Sequence, residues 1–207
     1  MKRMLEGLLE EKAPGPFPSF GIHHVLRALE LIAKEHVGRG RLSEQLSIGE
    51  GATRTLLNRL KEADFIVVSK KGCSFTVKGN KLWKELESVF VKKAYLEPNE
   101  LVLTKYNVAI QLRGFGNIVQ TGLEQRDAAM IAGAKGATTL IFKKEKLAMP
   151  NMSDDISRDY PVIYKQLTSL LHLNENDAVV IGGADSLDKA EYGAYAAAWT
   201  LIENRRD

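Results

Sequence analysis

The feature that most constrains this chain is a change of hydrophobic period inside one stretch, from Arg41 to Val77. Leu42 and Leu46 stand four apart, as on one face of a short helix, and Ser47-Ile48-Gly49-Glu50-Gly51 interrupts the pattern as a turn does. Thr53, Leu56, Leu57 and Leu60 then form the buried stripe of a second helix, from which Arg54, Thr55, Asn58 and Arg59 project. After that helix the period drops to two. Phe65–Ser69 and Ser74–Val77 read as strands, joined by Lys70-Lys71-Gly72-Cys73, a basic hairpin tip with a glycine for the turn.

Two short helices, a tight turn between them and a basic hairpin behind them predict a winged helix-turn-helix. Order and spacing resemble the winged-helix transcription regulators of bacteria and archaea, above all in Leu42-Ser43-Glu44-Gln45-Leu46 and in Thr53–Leu60. The ensemble carries this resemblance; the apolar residues alone would suit any small helical domain. The layout of the whole chain also resembles archaeal proteins that pair a winged helix with a C-terminal domain of unassigned function. The resemblance implies double-stranded DNA as the partner and a homodimer as the working form. In such regulators the helix that follows the wing often helps to build the dimer.

Charge coincides with the motif. Residues 1–95 carry 17 Lys and Arg against 11 Asp and Glu, whereas residues 96–207 carry 12 against 15. The basic half is the half with the helix-turn-helix, and such a field attracts polyanions. On this reading the helix from Glu50 to Ala63 enters the major groove. Arg54, Thr55, Asn58 and Arg59 then lie near bases or flanking phosphates, since arginine and asparagine make paired hydrogen bonds to guanine and adenine edges. Lys61 adds to the same face, and Lys70 and Lys71 on the wing hold neighbouring backbone.

At 207 residues the chain has room for two modest domains. The N-terminal 18 residues read as a short amphipathic helix and a proline-rich linker. Residues 19–95 form the winged helix, opened by a helix carrying Val25, Leu26, Leu29 and Ile32. Tyr95–Glu100 marks the boundary to an α/β domain over 101–207. There, strands are expected at 108–112, 138–142 and 178–181, with a short one at 147–150. Helices are expected after a Thr121/Glu124 capping box, from about Arg158 to His172, and from Leu187 to Glu203. The fold class is therefore α+β: an N-terminal winged helix and a two-layer α/β C-terminal domain, ferredoxin-like in one version.

Chemistry is thinner. Arg113, Glu124, Arg126, Asp127 and Asp185 are the polar residues best placed to hold a small effector, although a cap and a surface ion pair account for Glu124, Arg126 and Asp127 equally well. Gly182-Gly183-Ala184-Asp185-Ser186 follows a buried strand, but it lacks a Walker lysine and reads as a structural turn capped by Asp185, Ser186 and Asp188. His23, His24 and His36 lie on or near the first helix of the winged domain without a companion of metal-ligand spacing, so no metal, cofactor or catalytic residue is expected. No run has membrane-spanning length, the N-terminus does not read as a signal peptide, and the single cysteine, Cys73, fits a cytoplasmic setting. Two other classes fit the same residues: a winged helix used as a protein-interaction module, and a small-molecule enzyme fused to a DNA-binding domain.

Overall fold

A computed structural model describes residues 1–10 and 18–205. The chain divides into two compact units, Met1–Glu87 and Ser88–Asp207.

The first unit is a winged helix-turn-helix. Its order is α1 (Lys2–Glu6), α2 (Ile22–Lys34), α3 (Arg39–Gln45), α4 (Glu50–Glu62), β1 (Ile66–Ser69), β2 (Gly72–Phe75) and α5 (Val77–Val89). Leu29, Leu42, Leu46, Leu56, Leu60, Phe65, Leu82 and Leu86 are all buried, so the apolar stripes on the four longer helices and the start of the wing face inward. The turn between α3 and α4 places Ser47 at φ +46°, and the Ser43 hydroxyl donates across it to the Ile48 carbonyl at 2.7 Å. At its far end α4 closes with Asp64 in the left-handed region, the Phe65 N–H bonding to the Leu60 carbonyl and the Asp64 N–H to the Lys61 carbonyl. That is a Schellman cap built on aspartate instead of glycine. Lys78 reinforces it by donating to the Ala63 carbonyl.

The wing is tighter than the sequence implies. Ser69 pairs with Gly72, so Lys70 and Lys71 alone form the tip, and Gly72 belongs to β2. Its φ of +118° favours glycine, and a Cβ there would meet the Val37 backbone at 2.9 Å, because Val37 makes an isolated antiparallel bridge to Cys73 at the base of the wing. β2 ends at Phe75, and Val77, expected in the strand, opens α5 instead.

Neutral histidines start α2. The Gly21 N–H donates to His24 Nδ1 at 3.0 Å, and the His23 and His24 rings lie against each other, tilted by 43°, with centroids 4.1 Å apart. Burial, helped at His23 by the neighbouring ring, lowers the His23 pKa to about 3; burial lowers that of His24 to about 4. In the unfolded chain both titrate near 6.5. As pH falls below that value the unfolded state takes up protons the folded state refuses, so this unit is expected to lose stability from pH 6.5 down to about 3, with the His24 share spent by about pH 4. Asp155 and Asp159 of the second unit are held at about 2 by hydrogen bonds, chiefly from Lys146 and Arg158, so their stabilisation is lost only as pH falls from about 4 towards 2. Thermal melts of wild type and a His23→Gln/His24→Gln variant across this range will check it: the variant should be flat where the wild type declines.

The second unit runs β3 (Phe90–Leu96), β4 (Tyr106–Leu112), a 3-10 turn (Gly116–Ile118), α6 (Leu123–Ile131), β5 (Gly136–Lys143), β6 (Lys146–Ala148), α7 (Ile156–Asp159), α8 (Pro161–Leu170), β7 (Ala178–Ala184) and α9 (Leu187–Asn204). The strands make one sheet in the order β3-β4-β7-β5-β6, with every pair antiparallel. β7 is central and buried throughout, as its unbroken apolar run implies. The α/β expectation holds, but its ferredoxin-like version does not. The last strand, not the hairpin partner β6, occupies the place between β4 and β5.

Nor is the stack two-layered. α6 and α9 cover one face of the sheet. Ile156, Ile163, Leu167 and Leu171 of the α7–α8 region pack with Ala109, Leu140, Val179 and Ile181 on the other. The small residues of α9 serve the first of these packings. A Cβ at Gly193 would lie 2.4 Å from the Ala134 Cβ, and one at Gly182 would lie 2.5 Å from the Ala194 nitrogen.

Other expectations shift. Residues 90–96, assigned to the end of the winged helix and the start of its boundary, form edge strand β3 along β4, so the division between units falls at 87/88 and not at 95–101. The helix expected from Arg158 to His172 is two pieces with Pro161 opening the second, and Val162, next to that proline, is exposed. The capping box at Thr121 does not form: Gly122, at φ +80°, is the N-cap of α6. Ser186 holds the N-cap position of α9 without a side-chain capping bond, while Asp185 pairs with Lys135 at 2.6 Å. The amphipathic N-terminal helix is short, Lys2–Glu6, and the proline-rich linker expected next falls mostly outside the described residues.

Candidate nucleic-acid interface

Because Thr53, Leu56, Leu57 and Leu60 are drawn into the core, helical geometry turns Arg54, Thr55, Asn58 and Lys61 outward, and all four are exposed. The Thr55 hydroxyl is engaged by its own helix, donating to the Gly51 carbonyl at 3.0 Å. Lys70 and Lys71 stand exposed at the wing tip. Helix and wing frame a concave groove of 430 Å³ in which Arg54, Asn58, Val68, Lys70 and Lys71 meet Gly38, Arg39 and Gly40 at the start of α3. Among the described residues no side chain pairs with Arg54, Lys70 or Lys71. Their charge is available to a polyanion.

Arg39 was not singled out in the sequence. It brings a fourth cation to the groove and contacts Glu50, the first residue of α4, at 3.7 Å. The signal lay in Gly38-Arg39-Gly40-Arg41, a basic run opening the first helix of the motif. Its partner Arg41 faces Glu35 at 2.7 Å and does not line the groove.

Arg59 is the correction. It does not face solvent: it is 7% exposed, and its guanidinium donates to the carbonyls of Leu8 and Glu10 at 2.6 and 2.8 Å, beside the Phe20 ring. Residue 59 lies at the border of the apolar stripe, where the Leu8 and Glu10 carbonyls approach α4, and a guanidinium with several fixed donors answers both. Arg59 ties the N-terminal segment to α4 and offers nothing to a ligand.

The five effector candidates do not form one site. Arg126 and Asp127 hold each other at 3.0 Å on the surface of α6. Arg113 follows the end of β4 that pairs with Ala178, whereas Asp185 follows the opposite end of β7, about 20 Å away along a seven-residue strand. Glu124 accepts from Asn204 at 2.6 Å and, with Asn117, Gln120, Asn204 and Arg205, lines an open cleft of 580 Å³. Among the described residues no cluster of His, Cys, Asp and Glu is arranged to hold a metal ion, and no helix is long and apolar enough to cross a membrane.

Comparison with known proteins follows the same division. Residues 22–81 match a family described as PH0730-like, N-terminal domain, and residues 103–201 match one described as a domain of unknown function, DUF4443. No curated protein matches the chain. A solved structure, described as hypothetical protein PH0730 from Pyrococcus horikoshii OT3, is 29% identical with a TM-score of 0.72, covering 89% of this chain and 94% of that one. The chain is thus similar along most of its length to an archaeal protein, and it carries a PH0730-like N-terminal match followed by a DUF4443 match.

Proposed function

We propose that the protein binds double-stranded DNA through its winged unit and acts in the cytoplasm as a transcription regulator. The observation that carries this reading is the groove in which Arg39, Arg54, Lys70 and Lys71 converge beside Asn58, the cations on two helices and a wing of one winged helix-turn-helix. Four cations on one concavity match a phosphate backbone, and an outward asparagine and arginine on α4 match base edges in a major groove. The second unit is assigned effector binding or dimerisation. The cleft lined by Glu124, Asn204 and Arg205, with amide, carboxylate and guanidinium groups around it, suits a small polar molecule.

Fluorescence anisotropy with a labelled duplex tests the assignment. Affinity should fall with salt along a log–log slope of about −3 to −4, as neutralisation of four phosphates requires. Salt-independent or undetectable binding at low salt would end it. A homodimer belongs to the same reading, since paired winged units address paired half-sites, and light scattering of the free protein will show whether it forms.

A further inference from the structure

The first turn of α6, a helix of nine residues, is left without a cap. Gly122 holds the N-cap position with no side chain to give, and the Thr121 hydroxyl reaches only the Leu123 N–H, at 3.2 Å. The Glu124 and Gln125 N–H groups, at the two positions a capping side chain serves, have no acceptor among the described residues. Thr139 of β5 lies behind this turn. It is 3% exposed, and its hydroxyl is buried with no hydrogen-bond partner, where folding normally leaves such a group paired. A Cβ built at Gly122 would stand 3.7 Å from the Thr139 Oγ1, so the hydroxyl faces the place from which a capping side chain would start. Two main-chain donors and one buried hydroxyl thus border a position that no protein acceptor serves.

The surroundings define the ligand. Gln120 and Glu124, on either side of Gly122, line the 580 Å³ cleft together with Glu203, Asn204 and Arg205. Helix N–H groups and a guanidinium attract a carboxylate. A simple anion would nevertheless meet the carboxylates of Glu124 and Glu203 in the same cleft, and a simple cation would meet Arg205 and the positive end of α6. A molecule carrying both charges avoids both penalties. We infer that the cleft takes a free α-amino acid. Its carboxylate accepts from the Glu124 and Gln125 N–H groups and the Thr139 hydroxyl, with Arg205 beside it. Its ammonium group lies against Glu124, whose Oε2 already accepts from Asn204, and against Glu203. This rests on the assignment of the second unit to effector binding and names the class of effector.

Full-length wild type is melted with each common amino acid at millimolar concentration, and with acetate, phosphate and methylamine as probes of single charge. At least one amino acid should raise the transition of the second unit by about 3 °C, while its N-acetyl derivative and its α-carboxamide, each lacking one of the two charges, should not. Calorimetric titration of that amino acid then compares variants. Thr139→Val should bind it about tenfold more weakly yet melt no lower than wild type, because the hydroxyl it removes has no partner in the fold. Arg205→Ala and Glu124→Gln should each weaken binding by a similar factor. Wild-type affinity in Thr139→Val and Arg205→Ala would overturn the inference by placing the amino acid elsewhere. A clearly lower melting temperature for Thr139→Val would overturn it by giving the hydroxyl a place in the fold. No response to any amino acid would overturn it as well. The effector assignment would then stand if acetate, phosphate or methylamine gave a shift that Arg205→Ala or Glu124→Gln removes, and would pass to dimerisation if none did.

Discussion

Replacing Arg54, Lys70 and Lys71 together with alanine is expected to lower affinity for duplex DNA by about two to three orders of magnitude near physiological salt. A base-reading arginine contributes about 1–3 kcal/mol and each phosphate contact about 1 kcal/mol, and every 1.4 kcal/mol is a factor of ten. All three side chains are exposed and unpaired among the described residues, so the fold should be indifferent to their loss. The salt slope should become shallower by nearly three, one step for each lost cation. The variant can be dissected. Arg54→Ala alone should relax discrimination between sequences, because it stands on the helix assigned to the major groove. Lys70→Ala/Lys71→Ala should weaken all sequences alike, because the wing tip offers only point charges. A triple variant with wild-type affinity and slope would mean that the groove is not where DNA binds. The winged unit would then be a protein-interaction module, a role that copurification of a partner would support.

Arg59→Ala should act on folding instead. Its guanidinium donates to two backbone carbonyls and is almost wholly covered, so truncation removes two charge-assisted hydrogen bonds and leaves the Leu8 and Glu10 oxygens without that donor. The expected loss is about 3 kcal/mol or more, a fall of at least about 10 °C in the melting temperature of the winged unit. Arg59→Lys should recover only part of it, since one ammonium on a flexible stem replaces a planar fork poorly. At a temperature where Arg59→Ala is still folded, its DNA affinity and salt slope should equal those of wild type. A variant with wild-type melting and a slope reduced by one would return Arg59 to the DNA face.

That pair of arginines, five residues apart on one helix, marks how far the site could be read in advance. Arg54 sits opposite the leucine stripe, and helical periodicity alone sends it outward. Arg59 sits at the stripe's border, where periodicity is indifferent, and a segment about 50 residues earlier in the chain decides its direction. Arg39 escaped notice for the converse reason. Nothing local separates a groove arginine from the neighbouring Arg41, and only the approach of α3, α4 and the wing does.

The second unit repeats this at the level of strands. Ala178–Ile181 announced a central strand because burial on both faces leaves no polar alternation, and the helix from Leu187 was marked by its apolar content. Residues 90–96 carry a pattern that suits a helix end or an edge strand, and pairing with β4 settles it. Strand order was beyond reach, since any of several orders would bury the same side chains.

What the amino-acid sequence determined by itself is therefore the local and the periodic: a winged helix-turn-helix with a basic surplus, a buried strand, and which helix faces are apolar. These follow from steric preference and hydrophobic burial acting over a few residues. Tertiary structure alone decided that Arg59 turns in, that Arg39 joins the groove, that β7 lies between β4 and β5, and that the effector candidates lie apart. Each of those depends on which remote backbone offers a hydrogen bond or a surface to cover.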